Sequence, residues 1–176
     1  MDLLENIQKN LLPLKSKYPD FRWVPEKNLH ITMAFLGETD AALIPKITEA
    51  IQDAEGTGII PVIGERLFTL PQGRPANVLA MGFSKGGEKI SLLSQKIMKN
   101  LQDHSIFPVG MDRKFTPHIT LARKGRSNLK LDIDDLSFSA EGEIVSVGLF
   151  ESRLSSHGAD YYLLAGYRLD SRTGFR

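Results

Sequence analysis

NLHITMAFLGE, residues 28–38, and TPHITLARKGR, residues 116–126, each contain His-Ile-Thr, an apolar residue and then Ala. His30 and His118 stand 88 positions apart, half of the 176-residue chain. Extended backbone sends alternate side chains to opposite faces, with residues i and i+2 on one face about 7 Å apart. The first stretch therefore predicts a strand over 28–36. Leu29, Ile31, Met33 and Phe35 lie on one side, and His30, Thr32 and Ala34 on the other. The second predicts a strand over 117–123, with Ile119 and Leu121 one way and His118, Thr120 and Ala122 the other. The reading is one bilobal domain spanning 1–176 with an internal pseudo-two-fold duplication, one His-x-Thr motif per lobe. Two imidazoles and two hydroxyls then share one pocket.

That set of groups suits acid–base chemistry on a phosphodiester. Free imidazole titrates near neutrality, so one ring can take a proton from an attacking water while its protonated mate gives one to a leaving oxygen. Threonine hydroxyls, aimed by a stiff χ1, can hold the nonbridging oxygens on which charge builds. Arg123, five residues beyond His118, is a candidate cation for the same oxygens. A single His-x-Thr on a strand more often marks a structural histidine; two copies in matched context favour a shared role.

The remaining chain bounds the possibilities. Hydrophobic residues make up 41% and charged residues 24%, which is ordinary for a globular protein. The formal net charge is +1, which argues against coating long nucleic acid and leaves room for a small anionic site. Basic residues gather near the second motif: Arg113, Lys114, Arg123, Lys124, Arg126 and Lys130. Cysteine is absent, so neither disulfides nor thiolate metal sites arise. No apolar run reaches the roughly 18 residues of a membrane span, and MDLLENIQKNLL lacks the form of a secretion signal. A cytoplasmic monomer without membrane partners is expected. Zinc hydrolases usually add a third protein ligand to a pair of histidines. His104 and His157 show no ligand spacing, so neither metal nor cofactor is expected. His104 ends a helix, where an imidazolium favours the dipole, and His157 falls in a turn. Trp23, Phe35, Tyr161 and Tyr162 can stack on a base, core packing being their default. Met33 is read as core.

Apolar spacing predicts helices over 2–18, about 40–54 with Thr39 or Asp40 as N-cap, and about 87–103. Pro13 suggests a kink or early end to the first. Strands are predicted at 21–25, 58–70, 76–83, 141–154 and 160–169, with a loop near 124–137. The class is α+β.

Taken together, NLHITMAFLGE and FTPHITLAR resemble the two signature strands of the two-histidine phosphoesterases. The nearest likeness is to the LigT-like RNA 2',3'-cyclic phosphodiesterases. NVLAMGF (77–83) is similar to that family's central strand and VGLFESRLSSHGADYYLL (147–164) to its last hairpin, so the likeness runs from Trp23 to Leu164. The resemblance implies two antiparallel sheets around a central cleft with helices outside. It also implies metal-independent opening of a 2',3'-cyclic phosphate at an RNA or nucleotide end to a 2'-phosphate. Carried over by position, His118 is the base and His30 the acid, and Thr32 and Thr120 bind phosphate. Three departures stand out. The usual opening strand of the type RLFFAI does not precede the first helix, so one sheet edge is missing or supplied differently. Ala80 replaces a frequent Trp, which implies a more open pocket wall. His157 stands where a Pro or small residue is common. The same residues also suit a non-catalytic binder of nucleotides or RNA ends, the same chemistry on another cyclic phosphodiester such as a cyclic phosphate of ADP-ribose, or reversible 2',5' joining of RNA.

Overall fold

The computed structural model describes residues 2–71, 77–112, 114–125, 137–155 and 158–170, and it is α+β throughout. The chain divides into two compact units. The first comprises residues 1–32, 61–87 and 116–143, and the second 33–60, 88–115 and 144–176. Both His-x-Thr motifs fall in the first unit, although the sequence reading gave one to each lobe. The units interleave along the chain, and periodicity in a sequence carries no record of which distant segments pair.

The first unit holds helix α1 (Leu3–Lys17) and a five-stranded sheet. The strands are β1 (Arg22–Trp23), β2 (Ile60–Leu70), β3 (Val78–Lys85), β4 (His118–Arg123) and β5 (Ala140–Ile144), in the order β1-β4-β3-β2-β5. The Asp2 carboxylate caps α1 by accepting from Leu4 N–H at 2.8 Å, and the helix runs on past Pro13 instead of ending there. Its apolar stripe, Leu3, Ile7, Leu11 and Leu14, is buried. The Asn6 and Asn10 amides bind the Glu141 and Ser139 carbonyls, tying the helix to β5 and its approach. Within the sheet, Leu79, Met81 and Ile119 are almost fully buried and lie on one face.

The second unit holds α2 (Ile44–Gln52), α3 (Gly87–Asp103) and a two-stranded antiparallel ribbon of β6 (Ser146–Ser155) and β7 (Gly158–Arg168). Asp40 caps the 3-10 turn that leads into α2. Ile47, Ala50 and Ile51 of α2 and Ile90, Leu93, Ile97 and Leu101 of α3 are among its buried positions. The predicted strand over 141–154 is in fact two strands, β5 and β6, broken at Val145 and belonging to different sheets. The predicted strand over 28–36 is not a strand. A 3-10 turn at Glu26–Asn28 precedes a single antiparallel bridge, Ile31 with Ile119. No helix among the described residues is long and apolar enough to cross a membrane.

Candidate functional site

Ile31 and Ile119 are direct antiparallel partners. Partners in register share a face, and their neighbours on either side share the other. The single bridge therefore sets His30 opposite Thr120 and Thr32 opposite His118. The two histidines become diagonal neighbours, about 7–8 Å apart at this register. Ile119 is 2% exposed and turned inward, whereas His30 and Thr32 are exposed and His118 and Thr120 half-buried. A pseudo-two-fold axis thus passes between the two isoleucines.

Both imidazoles are held in the same way. His30 Nδ1 lies 2.7 Å from the Asn28 carbonyl oxygen, and His118 Nδ1 lies 2.7 Å from the Thr116 carbonyl oxygen. A carbonyl oxygen only accepts, so each Nδ1 carries a proton and donates it. Nε2 is then the nitrogen of each ring that gains or loses a proton. The donor-to-carbonyl bond spans two residues in both cases, which makes this tautomer control a local property of each tripeptide and its approach.

The rest of the face follows from the ladder. Gly82 is paired with His118, Ala80 with Thr120 and Val78 with Arg123. Across β3, the same residues face Arg66, Phe68 and Leu70 of β2. Strict alternation from His118 would put Arg123 on the inward face with Ile119. Instead the register slips by one residue, so that Leu79 faces Ala122 while Ala80 faces Thr120. Leu121 is the extra residue of a β-bulge, and the Val24 N–H donates to its carbonyl at 2.9 Å. Leu121 and Ala122 are both fully buried, and Arg123 returns exposed to the face of His118 and Thr120. The bulge corrects the expected placement of Ala122 beside the histidine and brings Arg123 into the candidate site.

Sequence reasoning missed Phe68, Arg66 and Gly82. The Phe68 ring stands edge-on to the His118 imidazole with centroids 6.0 Å apart, and the Arg66 guanidinium lies 5.7 Å from the Phe68 centroid. Gly82 sits between Arg66 and His118 in the sheet, and a Cβ there would come within 3.2 Å of the Phe68 ring. Arg66 and Phe68 are two apart in ERLFTL and so share a face on any strand. Their partner strand was not readable from that segment. Ala80, expected to open the pocket wall, has no exposed surface.

The other residues singled out in the sequence scatter. Lys114 is exposed, Lys124 half-buried, and Arg113, Arg126, Lys130 and His157 lie outside the described residues. His104 follows α3, where its backbone N–H reaches the carbonyls of Asn100 and Leu101. Trp23 is half-buried, its indole N–H donating to the Tyr18 carbonyl, in keeping with packing. Met33 is half-buried instead of core, and its carbonyl accepts from the Ser94 hydroxyl. Phe35, Tyr161 and Tyr162 are exposed, contrary to core packing. Among the described residues, no three His, Cys, Asp or Glu side chains come together as a metal-binding group.

Comparison with known proteins finds relatives along most of the chain. Residues 2–75, which include His30 and Thr32, match the profile of the LigT like Phosphoesterase family. A protein of Aquifex aeolicus named RNA 2',3'-cyclic phosphodiesterase is 25% identical over 155 residues, covering 84% of this chain and 81% of that protein. One of the same name from Thermus thermophilus is 28% identical over 186 residues, covering 98% and 89%. In fold, the chain is similar to the crystal structure of TT0787 of Thermus thermophilus, with a TM-score of 0.76 at 21% identity, covering 97% of this chain and 91% of that one. It is also similar to E. coli LigT complexed with 3'-AMP, with a TM-score of 0.74 at 19% identity over 96% and 92%. With the paired motifs on one sheet face, the profile match over residues 2–75 and relatives of one name aligned along most of the chain, the protein is similar to the LigT-like phosphoesterases.

Proposed function

We propose that the protein hydrolyses 2',3'-cyclic phosphodiesters at RNA or nucleotide ends to 2'-phosphates, with His30 and His118 as an acid–base pair. The observation that carries this reading is the Ile31–Ile119 bridge. It sets the two histidines as diagonal neighbours on one sheet face, about 7–8 Å apart along the backbone. The matched bonds from Nδ1 to carbonyl oxygens support it, because they leave the Nε2 atoms to do the proton transfers.

In the proposed reaction the His118 Nε2 takes a proton from water as its oxygen attacks phosphorus in line with the P–O3' bond. That bond breaks, and the protonated His30 Nε2 gives its proton to O3'. The phosphate stays on O2'. Thr32, Thr120 and Arg123 hold the nonbridging oxygens, where charge grows most in the transition state, and fixed donors act there without reorganising. The names of the curated relatives, and the nucleotide bound to E. coli LigT, support nucleotide chemistry at this site.

The direct test is to incubate the protein with adenosine 2',3'-cyclic phosphate in the presence of chelator and to follow the product by phosphorus NMR. Formation of 2'-AMP, with turnover lost in His30→Ala and His118→Ala, is the expected result. Near-normal turnover by either variant would falsify the acid–base assignment. Activity that vanishes with chelator and returns with added zinc or manganese would replace it with a metal-assisted reaction. Tight binding of a 2'-phosphate without turnover would make the protein a sensor.

A further inference from the structure

We propose that Arg22 binds the phosphate one nucleotide upstream of the reactive cyclic phosphate, so that the preferred substrate is the end of an oligoribonucleotide and not a free nucleotide. This rests on the hydrolytic reading above. Arg22 is the direct cross-strand partner of Arg123 across β1 and β4. Partners share a face, so the bulge that brings Arg123 round to the side of His118 and Thr120 brings Arg22 with it. Both arginines are exposed, and among the described residues neither is paired with a carboxylate. Like charges placed directly opposite each other destabilise a sheet, and an anion between or beyond them removes that cost. From the Arg22–Arg123 rung to the Arg66–Gly82–His118 rung, the paired residues of this face include three arginines and no Asp or Glu. The chain as a whole is nearly neutral, whereas the paired residues of this face carry positive charge alone.

Direction selects Arg22 over Arg66. If His30 protonates O3', the ribose and everything upstream of it lie on the His30 side of the phosphorus. The bridge sets His30 opposite Thr120, and β1 sets Arg22 opposite Arg123. Thr120 and Arg123 face Ala80 and Val78, two residues apart on β3, so Arg22 lies one rung, about 7 Å, beyond His30. Arg66 lies off the opposite side, past His118 and Gly82. A strand leaving the site past His30 meets Arg22 at its next phosphate.

The experiment compares adenosine 2',3'-cyclic phosphate with the diadenosine ApA bearing a 2',3'-cyclic phosphate, using the intact protein and its Arg22→Gln and Arg66→Gln variants. The wild-type protein is expected to favour the dinucleotide by about tenfold in kcat/KM, the size of one charge-assisted phosphate contact. Arg22→Gln should erase that preference through KM and leave the mononucleotide within about twofold. It should also lower the salt slope of dinucleotide binding by about 0.7. An uncharged methylphosphonate in place of the internal phosphate should reproduce the loss in the wild-type protein and add nothing in Arg22→Gln. Equal use of both substrates by the wild-type protein, or an equal loss on both in Arg22→Gln, overturns the subsite and leaves the hydrolytic reading standing. Loss of the preference in Arg66→Gln alone overturns it in favour of the opposite exit. A wild-type protein that turns over neither substrate removes the reading and the subsite together.

Discussion

His118–Thr120 and His30–Thr32 have the same three residues in unequal settings. The first opens β4, which is paired with β3 along one side and with β1 and Ile31 along the other. The second has no strand of its own. It follows a 3-10 turn and is joined to β4 by one bridge, with both polar residues exposed. What the segments keep in common is the part that bears on chemistry: an Nδ1 donating to the carbonyl two residues back, and an isoleucine paired with its counterpart. The repeat is therefore conserved within this molecule at the level of tautomer and facing direction, while the supporting backbone differs.

The comparison breaks first at the level of catalysis. His30→Ala and His118→Ala should each lower kcat by about 10²–10⁴, because each removes one proton transfer, and the double variant should fall little below either alone. Steady-state turnover of a cyclic nucleotide measures this; a loss confined to one histidine would mean that only one of the matched rings is used. The structural asymmetry should appear in stability. Ile119→Ala deletes an almost fully buried side chain and should cost about 2–5 kcal/mol in urea unfolding. Ile31→Ala, half-buried at the edge, should cost about 1 kcal/mol, while misplacing His30 and lowering activity. Hydrogen exchange gives a third measurement. Amides of 119–122, inside a strand flanked on both sides, should be protected to higher opening free energy than those of 30–32. Equal protection would make the first motif as firmly held as the second. The smallest effect is expected at Gly82→Ala. The added methyl meets the Phe68 ring at 3.2 Å, and that ring stands against His118, so kcat should fall a few-fold with little change in unfolding midpoint.

Much of this was legible before any coordinates. The helices at 3–17, 44–52 and 87–103 follow from apolar spacing, although the expected Asp40 cap closes a 3-10 turn ahead of the second helix and not the helix itself. The candidate site was readable because its residues repeat: two His-x-Thr units identify each other without a structure. The backbone between them was less readable. Leu29-to-Phe35 alternates like a strand, yet only Ile31 finds a partner, because pairing depends on a neighbouring edge and not on alternation itself. The strand predicted over 141–154 failed for a related reason: nothing in its pattern marks the break at Val145, where the chain leaves one sheet for another.

The sequence by itself determined the candidate groups and their i, i+2 spacing, and the Nδ1 tether seen in the structure is likewise set within a few residues. Tertiary structure decided which face those groups occupy together. A bridge between residues 88 positions apart sets the two imidazoles on a common diagonal, and one extra residue at Leu121 turns Arg123, and with it Arg22, toward them. Register in a sheet has a period of two, so a single inserted residue changes the face of all that follows, and only the partner strand reveals that it has been inserted.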